Sequence, residues 1–160
     1  MALAPVVFAE ATDSDTTTLS VTVAAESTIT VTVSPTLAKG TTEFESYTGS
    51  TTFTYRIRTT ESSGAGTVTA LVTTPFDAAS NIKTADLTHV VAKVGGAVGT
   101  ANTNSTTASE QTATNILTFG AGAHSSDSND SATINWTLAD RPAYKTGTYS
   151  ATVTLTISVT

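Results

Sequence analysis

Apolar and polar residues alternate along much of this chain with a period of two. From Tyr149 to Thr160 the pattern is unbroken: Tyr149, Ala151, Val153, Leu155, Ile157 and Val159 are separated by Ser or Thr at every even position. Successive side chains of a β-strand point to opposite faces, so such a run buries one face and wets the other. At roughly 3.3 Å per residue it spans about 40 Å, well beyond the usual strand of about five or six residues. A strand of that length either crosses a whole sandwich or reaches beyond its own domain. The same lettering recurs where Leu19, Val21 and Val23 alternate with Ser20 and Thr22, and where Ile29, Val31 and Val33 alternate with Thr30 and Thr32.

Read along its length, the periodicity predicts eight strands, over residues 17–24, 28–34, 51–60, 66–73, 87–94, 113–119, 132–138 and 148–159. Turn signals separate them at 25–26, 35–40, 62–64, 75–80, 95–96, 120–130 and 141–147. Hardly any segment carries helical spacing, so the expected fold is all-β: a two-sheet antiparallel Ig-like β-sandwich. Its expected core is the inward set Leu19, Val21, Val23, Ile29, Val31, Val33, Phe53, Tyr55, Ile57, Val68, Leu71, Val90, Ile116, Ile134, Trp136, Leu138, Val153, Leu155 and Ile157. Trp136 alternates in phase with Ile134 and Leu138, which places it in the core rather than on a sugar-stacking surface. Residues 95–111 and 121–131 are poor in apolar side chains and read as long exposed loops, where recognition usually lives.

A chain of 160 residues is one domain, able to bury about two thirds of its unfolded surface. The expected division is an apolar arm or signal remnant over 1–15 and a single sandwich over 16–160. About a quarter of the residues are Thr, which suits a pleated, half-wet surface. The net charge of −6, with scattered basic residues, argues against a nucleic-acid partner. Arg56 and Arg58 lie two apart on one strand face and are expected to be solvated or to pair with acids such as Glu43 and Glu45. The absence of Cys excludes thiolate metal sites, thiol catalysis and disulfides. Low charge with Ser and Thr richness favours an extracellular or cell-surface location, and no run reaches the length of a membrane span. Near the start, Ala9, Glu10 and Ala11 have the small-x-small lettering of a signal-peptidase site, though the apolar stretch before them is short and lacks a basic residue.

Candidate chemistry is sparse. His89 falls inside a predicted strand and His124 in a polar loop; His124, Asp127 and a serine could be drawn as a triad, but no nucleophile-elbow glycine pattern accompanies them, so an enzyme is not expected. Asp127 and Asp130 offer oxygen ligands for a calcium ion, without the fixed Gly and terminal Glu of an EF-hand, and Asp13 with Asp15 forms a second small acidic cluster. Asn104, Asn129 and Asn135 match the N-glycosylation pattern, with Asn104 in the most accessible setting. No other cofactor is implied.

Residues 138–160, L-A-D-R-P-A-Y-K-T-G-T-Y-S-A-T-V-T-L-T-I-S-V-T, resemble the end of small secreted bacterial Ig-like β-sandwich proteins of unassigned role. The stretch G-T-Y-S-A-T-V-T at 147–154 is also similar to the closing strand of spore-coat-U-like pilins of archaic chaperone-usher fibres, from which this chain departs by having no Cys. The resemblance implies a surface-exposed sandwich and subunit assembly. Gly147 and Tyr149 also have a structural reading, as a turn glycine and a tyrosine that packs and bonds at a sandwich corner. Together these features lead to the expectation of a structural subunit of a pilus or surface fibre. Copies would join by β-strand addition, with Val6, Val7 and Phe8 of the segment 2–11 as the arm entering a neighbour. A monomeric adhesin or carbohydrate-binding module that takes surface glycans, and a virion decoration or tail protein, are the alternatives.

Overall fold

Ten strands form two antiparallel sheets in the computed structural model, which describes residues 12–160. The strands are β1 (Glu26–Val33), β2 (Ala38–Lys39), β3 (Tyr47–Arg58), β4 (Gly66–Thr74), β5 (Leu87–Lys93), β6 (Thr100–Ala101), β7 (Thr106–Thr107), β8 (Thr114–Phe119), β9 (Asp130–Leu138) and β10 (Thr152–Val159). The first sheet has the order β1-β3-β9-β5-β7, with β2 continuing the β1 edge along the start of β3; the second has the order β10-β4-β8-β6. The two-sheet antiparallel sandwich expected from the alternation is therefore the fold, built from seven of the eight predicted strands and three two-residue additions.

Inward phases meet between the sheets. Phe53, Tyr55 and Ile57 of β3, Ala132, Ile134, Trp136 and Leu138 of β9, and Leu87 and Val91 of β5 pack against Val68, Ala70 and Val72 of β4 and Ile116, Leu117 and Phe119 of β8. On the outer face of the second sheet, Thr67 bonds Ser158 at 3.1 Å and Thr73 bonds Thr154 at 2.9 Å, a cross-strand use of the polar half of the alternation. Two core expectations had the wrong phase. Leu71 and Val90 are half-buried on the outer side, because Val68, Ala70 and Val72, and Leu87, His89 and Val91, take the inner positions. On β8, Leu117 stands opposite Val68 but Asn115 opposite Thr69; this bulge inserts Ile116, so two neighbouring residues are buried side by side.

The larger correction lies at the front. Residues 17–24 form no strand and stand in water: Leu19, Val21 and Val23 are 92%, 85% and 61% exposed. Val31 and Val33, expected in the core, are also exposed, while Ile29 is half-buried. Alternation states which face a strand would bury, but burial needs a partner, and among the described residues these positions have none deep enough.

Neither polar segment is a free loop. Residues 95–111 leave β5, cross to the second sheet as β6, and return to pair with β5 as β7. Ala97 and Ala108 are buried under this crossing, the Tyr55 hydroxyl donates to the Val98 carbonyl, and the Asn102 N–H donates to the Ile116 carbonyl at 3.0 Å. Gly99 makes the approach possible: its φ is +96°, and a Cβ there would lie 2.6 Å from the Phe119 ring. Residues 121–131 are tied to the end of β3, where Thr59 N–H donates to Ala123 at 2.9 Å and Ser125 N–H to Ile57 at 2.8 Å.

Candidate functional site: an apolar cleft at the open edge

Both sheets end on the same side of the sandwich, one with β1 and the other with β10. At the end of the molecule where β1 finishes and β10 begins, a cleft of about 920 Å³ opens between them. Trp136, Leu138 and Leu87 reach it from within the core; Val31 and Tyr47 line it from the first sheet, Leu37 from the turn between β1 and β2, and Val153 and Leu155 from the second sheet. Phe44, exposed on the rim and held at a φ of +53°, has the Lys39 ammonium 5.7 Å from its ring centre.

The remaining wall comes from residues 139–151, which the sequence assigned in part to the last strand. The partner strand β4 ends at Thr74, just before Pro75 and opposite Thr152, so residues 148–151 have no strand to pair with and β10 begins only at Thr152. Side-chain bonds hold this segment in place of a sheet. Asp86 accepts from Arg141 Nε at 2.7 Å and from the Tyr144 hydroxyl at 2.8 Å; Asn81 donates to the Ala143 carbonyl at 2.9 Å; Lys39 pairs with Asp140 at 3.1 Å. Burial pushes the Asp86 carboxyl up, but hydrogen bonds from Tyr144 and Arg141 and the Arg141 charge outweigh it, so its pKa lies below the ordinary value. Tyr144 is raised to about 12, by burial first and then by its bond to Asp86.

Trp136 sits at the junction of cleft and core. It is 6% exposed, and its indole N–H donates to Thr51 Oγ1 at 2.8 Å, as the core reading requires of a buried indole. Against it, at a ring-centre distance of 5.2 Å, lies His89, buried and with no hydrogen-bond partner for either ring nitrogen. Burial lowers the His89 pKa below its ordinary value, which keeps the ring neutral near pH 7.

The other candidate residues separate. Tyr149 lies across Gly147, where a Cβ would stand 2.8 Å from its hydroxyl, and that hydroxyl donates to the Thr146 carbonyl at 3.4 Å. Both residues line the cleft. Asp130 uses its two carboxylate oxygens within the protein, accepting from Val98 N–H at 3.2 Å and from the Ser125 hydroxyl at 2.6 Å. Asp127 is exposed, with its carbonyl bonded by Arg56, and no group of three or more His, Asp or Glu side chains forms a metal cluster among the described residues. Arg58 pairs with Glu26 at 2.9 Å and donates to the Ala24 carbonyl at 2.8 Å, whereas Glu45, an expected partner, accepts from Thr42 N–H in its own turn. Val6, Val7 and Phe8 lie outside the described residues.

Sequence reasoning missed Asp86, Arg141, Tyr144 and Phe44. The first three are brought together from positions 55 and 58 residues apart, which no local spacing announces. Among the described residues no helix is long and apolar enough to cross a membrane. Comparison with protein-family models, curated proteins and solved structures finds no match to this chain.

Proposed function

We propose that this chain is a structural subunit of an extracellular assembly, a pilus or surface fibre, in which copies join by β-strand addition. The observation that carries the reading is the open edge. β1 and β10 each pair on one side only among the described residues, and a cleft of about 920 Å³ with apolar side chains from both sheets lies between them. A free strand edge supplies backbone donors and acceptors for an incoming strand, and alternate pockets beneath it select apolar side chains. The resemblance of 147–154 to pilin closing strands points the same way.

Light scattering and electron microscopy over a range of concentrations test the reading. Growth into linear oligomers supports it, and a chain that stays monomeric at high concentration overturns it. Aromatic side chains at the cleft mouth, Phe44, Tyr47 and Tyr149, favour one second reading, a carbohydrate-binding module. Glycan-array binding by a monomer, lost in Phe44→Ala, is the result that would put it first.

A further inference from the structure

We infer that the strand entering the cleft is residues 17–24 of a second copy, and that the copies join head to tail. The inference rests on the assembly reading and names its donor, its acceptor and its polarity.

Three observations on the same molecule carry it. First, 17–24 has the lettering of a strand with one buried face, yet Leu19, Val21 and Val23 are all exposed, Leu19 and Val21 almost wholly. No other described segment combines strict alternation with so little burial. Second, the acceptor edge is incomplete in the complementary way. The inward side chains of β10, among them Val153 and Leu155, are only half-buried, and Val31 across the cleft is 45% exposed.

Third, the segment is attached at the end of the sandwich opposite the cleft. β1 starts with Glu26 opposite Arg58 and finishes with Val33 opposite Thr52; the segment leaves from the first end, where Arg58 holds the Ala24 carbonyl, and the cleft opens at the second. An arm at one pole and a socket at the other make a heterologous contact, which adds subunits in line instead of closing a symmetric dimer. In the joined state 17–24 pairs with the free edge of β10 and lays Leu19, Val21 and Val23 over Val153, Leu155, Val31 and Trp136.

The test uses the full-length chain in three forms, followed by light scattering. Leu19→Asp, Val21→Asp and Val23→Asp together form the arm variant; Val31→Asp is the socket variant; Val6→Asp with Phe8→Asp is the upstream variant. Association in the arm variant should weaken by about tenfold or more for each side chain made polar, with an unchanged melting temperature because these residues stand in water in the monomer. The upstream variant should assemble like the wild type. Arm and socket variants, each monomeric alone, should form one-to-one dimers when mixed, since one keeps a socket and the other an arm.

Wild-type assembly by the arm variant would overturn the inference and leave the assembly reading standing. Loss of assembly only in the upstream variant would do the same, moving the donor to 2–11. Failure of the mixed variants to pair would overturn the head-to-tail polarity. A wild type that stays monomeric would overturn both readings.

Discussion

The two lateral edges of this sandwich are made from similar Thr-rich strands and end differently. On one side the crossing at 95–111 lays β6 and β7 across the gap, buries Ala97 and Ala108, and engages the Tyr55 hydroxyl. On the other, β1 and β10 stop short, and a cleft of about 920 Å³ remains between apolar walls. Strand composition does not distinguish the edges. What does is a connecting segment that starts in one sheet, reaches the other and returns; the 139–151 segment stays on the open side and serves as a cleft wall.

The largest expected effect falls on the residue that belongs to both the core and the cleft. Trp136→Ala should cost about 3 to 5 kcal/mol, from the cavity and from the lost indole bond to Thr51. A denaturation midpoint that barely moves would show that the indole is not part of the core.

Paired truncations probe the contrast directly. Ile116→Ala, in the fully buried bulge of β8, should cost about 2 to 5 kcal/mol, and Leu155→Ala on the open edge about half as much, because its side chain already stands partly in water. Equal costs in a dilute monomer would mean that the open edge is closed in solution.

Asp86→Asn should loosen the cleft wall by about 1 to 2 kcal/mol, because Arg141 and Tyr144 lose a charged acceptor. The folded-state pKa of Asp86 lies below its ordinary value, so its contribution is present above that value and fades as pH falls. The variant should therefore flatten the acid limb of a stability curve below about pH 4.

The smallest effect appears only in mild acid. His89 has a folded pKa below its ordinary value near 6.5, so the unfolded chain takes up a proton that the buried ring refuses. Stability should fall as pH drops through about 6.5, and His89→Leu should remove that part of the slope. An unchanged slope would mean that the ring gains a partner or a proton in the folded state.

Much of this was legible in the sequence. The alternations at Phe53-Tyr55-Ile57 and Ile134-Trp136-Leu138 gave strand, face and core membership correctly, because each falls in a strand with neighbours on both sides. The phase at Leu71 and Val90 was not legible, since runs with apolar residues at adjacent positions offer two faces of comparable hydrophobicity. The cleft wall was hidden because its bonds join Asp86 to residues in the 140s. The buried His89 was seen only as a strand residue, since a polar letter on an inward phase looks like any outward one until the register is fixed.

By itself, the sequence determined the class of fold and most of the strands, because a period of two is a local property that needs no knowledge of partners. Tertiary structure alone decided which strands find partners. It turned a polar stretch into the closed edge, left β1 and β10 with half-covered apolar faces, and put Leu19, Val21 and Val23 in water. The physical reason is that burial is a relation between two surfaces, whereas alternation describes only one of them.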